Sequence, residues 1–287
     1  MELTDYEWNV REQIEIWRNR KPDLISVALN AIAQPLGWLA SRAVPIAAQQ
    51  AAERAVLGFL EMMKDASYWT YSDAAILARA KKLGIAAETL ADLQTAELPL
   101  LDKLARKHFT QNKLASALEG AGCGLGGLAL IAADIPALFA VSLRAAQQIG
   151  ASYGFDMKDP DLRPIVYHVF NAGVAASSAA KSAALADMRI AALAFAKNWT
   201  YKEVAEKTQT GVVAKLLKEA TKTLPRKIAD NVTKRKLAQI VPIVGSAVGA
   251  GFNYWFLANI TESAFMLFRE LYLDRKEAAS GPAPTSE

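Results

Sequence analysis

The chain has 287 residues, 52% hydrophobic and 22% charged, with a formal net charge of +4 and one cysteine, Cys123. That length supports a substantial buried core in one large domain or two small ones. A lone cysteine excludes an internal disulfide framework or a thiolate cluster, and with only two histidines, His108 and His168, no metal site is expected.

Alanine and leucine dominate, and no repeated Val/Ile run followed by a helix suggests a parallel sheet. The expected class is all-α, a single multi-helix bundle. Hydropathy is high for a soluble helical protein, yet uncharged spans of roughly 20 residues do not recur as a polytopic membrane protein requires. The opening "MELTDYEWNVREQ" has no apolar core of a secretory signal, so a cytoplasmic location is expected.

In chain order, the first twenty residues read as an amphipathic helix stopped by Pro22, followed by helical pieces punctuated by Pro35, Gly37 and Pro45. "YSDAAILARAKKLG" offers Ser72 or Asp73 as N-cap and Gly84 as C-cap. A helix with Pro99 in its first turn aligns Leu101, Leu104, Ala105 and His108 on one stripe. "GAGCGLGGLALIAADIPALF" follows, with a helix expected from Asp134 to Ile149 and a break at "YGFDMKDPD". Another helix is expected from Leu162 through the alanine-rich stretch to Trp199. Last come "IVPIVGSAVGAGFNYWF" and a separate terminal helix with Ala264, Leu267, Phe268 and Leu271 on one face. The organisation expected is an N-terminal helical segment over 1–49, a helical domain over 50–277 and a disordered tail over 278–287.

Three enzyme-like patterns lack the context their chemistry needs. Gly122, Gly124 and Gly127 satisfy G-x-G-x-x-G, but a helical segment precedes them and no Lys-Ser/Thr pair follows. "GASYG" resembles a nucleophile elbow around Ser152, which needs a strand before it; a helix terminus with Gly154 in the left-handed conformation explains it better. Ser178 and Lys181 form S-x-x-K without its companion elements. No cofactor is expected.

Isolated charges are the better pointers. Asp134, before Pro136, is the only acid between Gly120 and Leu143, and reads as an N-cap or as a buried carboxylate facing a ligand. Lys181 is the only charge from Pro164 to Ala186, and either reaches solvent or pairs with a carboxylate. Glycines at four-residue spacing, Gly120/Gly124, Gly122/Gly126 and Gly245/Gly249, suit two apolar hairpins, 120–143 and 237–261, whose helices cross closely.

Eleven Lys/Arg against four Asp/Glu lie between Lys197 and Lys236, and no charge occurs from Leu237 to Thr261. A basic segment beside an apolar one suits an anionic lipid surface, with Lys227, Lys234, Arg235 and Lys236 as contact candidates. It also suits a solvated helix face followed by a core helix. Nucleic acid is not an expected partner, because the basic run lacks interleaved aromatics.

The glycine tract leading into "AADIPALF", then "YGFDMKDPD", then basic residues feeding "IVPIVGSAVGAGFNYWF", resembles the EcsC family of bacterial proteins over residues 50 to 275. Gly124, Asp134, Pro136, Tyr153, Gly154, Asp156, Pro242, Gly245, Gly249 and Asn253 match its recurrent pattern. The resemblance implies a helical protein, associated by name with a transporter operon, and supplies no catalytic residues. The expectation is a non-catalytic accessory or regulator, peripheral to the inner face of the plasma membrane, docking on anionic lipid or a membrane protein such as a transporter. The basic region 197–236 supplies the electrostatics, and the apolar hairpins 120–143 and 237–261 insert or cover a partner, with 237–261 long enough to span as a variant. Asp134, Lys181, Tyr153, Asp156 and Asn253 are the candidate functional residues. The alternative is a soluble enzyme or small-molecule binder with a pocket near Asp134, Lys181 and Asn253.

Overall fold

A computed structural model describes residues 2–20, 46–62, 71–108, 127–159, 162–174, 179, 181–183, 186, 223–229, 232 and 245–280. Among these residues every regular element is helical. In order they are α1 (Asp5–Asn19), α2 (Ile46–Met62), α3 (Asp73–Lys82), a 3-10 turn (Ala91–Thr95) and α4 (98–108). Then come α5 (Gly127–Ser152), α6 (Arg163–Gly173), α7 (223–229) and α8 (Gly245–Ser280).

Local signals set several boundaries. Thr4 and Glu7 form a capping box at the start of α1, satisfying donors that would otherwise lack partners. Ser72 caps α3 by accepting from the Ala75 N–H. Gly84 and Gly154, with φ of +81° and +83°, close α3 and α5 in the same way. The amides of Ile85 and Phe155 reach back five residues to the carbonyls of Ala80 and Gly150. The expected helix terminus at "GASYG" is thereby found, and Ser152 donates to the Gln148 carbonyl at 2.7 Å from a fully buried position.

Three expectations about helix extent are corrected. α5 begins at Gly127, so Asp134 lies inside the helix and is not its N-cap; Pro136 is carried within α5. A proline there removes one helical hydrogen bond, a cost opposed by burial of Ile135, Leu138 and Phe139 around it. α6 ends at Gly173, well before Trp199. The terminal stretch is one helix of 36 residues, about 54 Å at 1.5 Å per residue, with no break between 245 and 280.

α8 is the axis of the bundle. It packs most extensively against α5 and α6, while α1 lies along its C-terminal half and α2 and α3 flank α5. Phe139 of α5 is the centre of the aromatic core. Its ring lies 5.4 Å from Phe59 of α2, 5.5 Å from Phe170 of α6 and 5.1 Å from Phe256 of α8. Among the described residues glycine permits close helix contacts at two places. A Cβ on Gly150 would strike Phe268 and Met157, and one on Gly173 would strike the Ile260 side chain and press tightly on its backbone.

The described parts of both apolar segments are therefore interior. Ile135, Leu138, Phe139 and Leu143, and Phe252, Trp255, Phe256 and Ile260, are all buried in this core. Among the described residues no helix is long and apolar enough to cross a membrane, which removes the spanning reading of 237–261 there. Gly120, Gly122, Gly124, Gly126, Pro242 and residues 281–287 lie outside the described residues.

Candidate functional site

Asp102 projects from α4 beside the stripe of Leu101, Leu104, Ala105 and His108, all of which are buried as their spacing predicts. α8 brings Arg269 opposite it, and both side chains are almost fully enclosed. Arg269 donates to Asp102 twice, Nη2 to Oδ2 at 2.7 Å and Nε to Oδ1 at 3.2 Å. The turn after α5 adds the Tyr153 hydroxyl, donating to Oδ1 at 2.7 Å; α1 adds the Tyr6 hydroxyl, donating to Oδ2 at 2.6 Å. The remaining guanidinium nitrogen, Nη1, donates to Gln13 Oε1 at 3.0 Å, and the plane rests 4.6 Å from the Phe265 ring centre.

An ionised carboxylate has about four acceptor positions, and Asp102 receives four hydrogen bonds. Nothing is left over to take a proton from a substrate. Burial and the Asp102 charge push the Tyr153 phenol well above its ordinary pKa, and burial with Asp102 raises Tyr6 as well, so both stay protonated donors. The arrangement is chemically closed. Its physical effect is to join α1, α4, α8 and the turn after α5 at one point.

From this hub a ladder of ion pairs runs antiparallel between α1 and α8. Lys276 Nζ donates to both Glu7 oxygens at 2.7 Å, and Arg11 Nη2 bonds Asp274 at 2.6 Å and Glu277 at 2.8 Å. Arg18 bonds Glu270 at 3.0 Å, and Arg20 bonds Glu262 at 3.0 Å. Burial pushes the Glu7 carboxyl up, but Lys276 and the Thr4 cap outweigh it and hold the pKa below its ordinary value.

The "YGFDMKDPD" turn forms the other end of the cluster. Gly154 accepts from Gln94 Nε2 and sits where a Cβ would strike the Leu90 carbonyl. Asp156 is exposed and accepts from the buried Tyr71 hydroxyl at 3.2 Å and from the Lys158 N–H at 3.0 Å. The Lys158 ammonium pairs with Asp73 and lies 5.2 Å from the Tyr71 ring centre.

Of the sequence candidates, Tyr153 and Asp156 share this turn, yet serve different partners. Asn253 is buried on α8 beside the aromatic core. Lys181 is half-buried with its ammonium 5.3 Å from the Trp17 ring centre, facing α1. The side chain of Asp134 and the residues Lys234, Arg235 and Lys236 lie outside what is described; Lys227 is exposed on α7. Sequence reasoning missed Asp102, Arg269 and Tyr6. The available signal was a charge set within apolar company, as Arg269 is after "AFMLF".

Comparison with known proteins places this architecture. The model of the EcsC protein family matches residues 9–273, beginning inside the segment expected to precede the domain. The chain is 30% identical over 183 residues to YdbA of Bacillus subtilis (strain 168), covering 64% of this chain and 62% of that protein. It is also 30% identical over 176 residues to protein EcsC of Bacillus subtilis (strain 168), covering 61% and 65% respectively. The aligned region thus spans less than two thirds of either relative. No solved structure matches the chain.

Proposed function

This chain belongs to the EcsC protein family, and from that premise we propose that it is a non-catalytic accessory or regulatory protein. It docks peripherally on the cytoplasmic face of the plasma membrane, on anionic lipid or on a membrane protein there. The observation that carries this reading is the described part of the basic region. In α7, Leu224, Ile228 and Ala229 are buried while Arg226 and Lys227 are exposed. Apolar anchoring on one side leaves the cations outward, as a peripheral electrostatic surface requires. The apolar segments belong to the core in their described parts, so adsorption by charge replaces insertion of hairpins. The closed carboxylate at Asp102 supports a scaffold in place of a reaction centre.

Co-sedimentation with vesicles tests it. Binding should require anionic lipid and fade as salt rises, because exposed charges are screened beyond about 10 Å at 0.1 M ionic strength. Absence of binding to anionic vesicles at low salt would refute membrane docking on lipid.

A further inference from the structure

A second basic surface lies outside the region that the sequence singles out. The last turn of α3 carries Arg79, Lys81 and Lys82. The outward side of α4 carries Lys103, Arg106 and Lys107, and α5 adds an exposed Arg144. His108 joins these elements. Its ring lies 3.0 Å from Arg79 Nη1, and Lys107 and Arg144 add their positive fields there. α3 also packs directly on α5.

Lys81, Lys82, Lys103, Lys107 and Arg144 form no ion pair among the described residues. The acids on the same elements are elsewhere: Asp73 at the far end of α3, Asp102 buried against Arg269, and Asp134 ten residues before Arg144. At the edge of this surface Leu83 follows the two lysines and is 36% exposed, in a tip shaped by Gly84. Among the described residues, the other large exposed apolar side chains, aromatics included, belong to α1, α2 and α8.

We infer that the surface of Lys81, Lys82, Lys103, Lys107 and Arg144, with Leu83 at its edge, is a docking face for an anionic lipid bilayer. Exposed cations held on these helices supply attraction, each worth about 1 kcal/mol near such a surface. A leucine flanked by lysines supplies shallow apolar contact. A nucleic-acid strand would need aromatic platforms for its bases, and the face has none among its described residues. This inference rests on the membrane reading above and adds a second surface to that of α7.

The test compares the wild type with K81E/K82E/K103E/K107E and with R226E/K227E on phosphatidylglycerol-containing and pure phosphatidylcholine vesicles. Circular dichroism checks that these exposed changes leave the fold intact. The quadruple variant should lose about tenfold or more in partitioning onto anionic vesicles, and Leu83→Asp should weaken it further at high salt. If the wild type binds and the quadruple variant binds equally, this face is not the contact, and docking on lipid stands through another surface. If the wild type binds no vesicle, this inference and docking on lipid both fail. Binding to a short duplex oligonucleotide without binding to vesicles would overturn the lipid assignment.

Discussion

From Phe252 to Phe268, α8 is held by rings and by backbones that approach closely; from Arg269 to Glu277 the same helix is held by charges. Both halves are buried, Phe256 and Arg269 alike at 0% exposure. In the first half the neighbours are Phe139, Phe170 and Gly173, so burial itself is favourable. In the second half burial is costly for Arg269, Glu270 and Asp274, and stability depends on each of these finding its partner. Aromatic packing can lose a contact and relax. A desolvated ion pair that loses one member leaves a charge with no solvent.

Five measurements sharpen that comparison, from the largest effect to the smallest. Phe139→Ala removes the ring shared by α2, α5, α6 and α8 and should cost about 4 kcal/mol in urea unfolding. Asp102→Asn keeps the shape but leaves Arg269 without its counter-charge; a loss of about 3 kcal/mol is expected. Replacing both members by apolar residues, Asp102→Leu with Arg269→Met, should recover much of it. If the double variant is no better than the single, the loss comes from packing and not from stranded charge.

The third concerns acid. Burial lowers His168 on α6 to about 4, and burial with Arg79, Lys107 and Arg144 lowers His108 to about 4. The unfolded chain takes up these protons near 6.5, so between those pH values it binds more protons than the folded protein. Stability should therefore fall as pH drops from 6.5 toward 4, by about 2 to 3 kcal/mol for each histidine, and His168→Gln should flatten the slope. A urea midpoint independent of pH across that window would show that the imidazoles are not neutral and buried.

Fourth, Gly173→Ala forces a methyl into the Ile260 side chain and tightly against its backbone and should cost about 2 kcal/mol, visible as a lower thermal midpoint. Smallest is Arg20→Ala. Arg20 is 48% exposed at the solvent end of the ladder, so its pair with Glu262 should contribute less than about 1 kcal/mol. A loss matching that of Asp102→Asn would mean that the ladder acts as one unit from end to end.

How much of this was legible follows from the range of each cause. The all-α class and the caps at Ser72, Gly84 and Gly154 depend on residues within one turn, and the structure has them where the spacing put them. So does the buried stripe of Leu101, Leu104, Ala105 and His108. The start of α5 was misread because Asp-x-Pro is a good local helix start, while the burial that keeps Pro136 inside the helix comes from other elements. Glycine spacing pointed to close crossings at Gly120/Gly124, Gly122/Gly126 and Gly245/Gly249, whose surroundings lie outside what is described. Among the described residues Gly150 and Gly173 make such contacts, and Phe268 and Ile260, the partners that require them, are distant in the chain. Tyr153 was singled out by resemblance alone; its partner Asp102 lies 51 residues away and carries no mark of its own.

What the sequence determined by itself is therefore local: helical class, the helix ends set by Ser72, Gly84 and Gly154, and the apolar and basic segments along the chain. The tertiary structure decided which charges are interior. Asp102 and Arg269 are 167 positions apart, and each could as well have faced water. Only when α1, α4 and α8 close around them does removal from solvent turn an ordinary aspartate and arginine into a junction of the bundle, while five equally ordinary cations stay outside with no ion pair among the described residues.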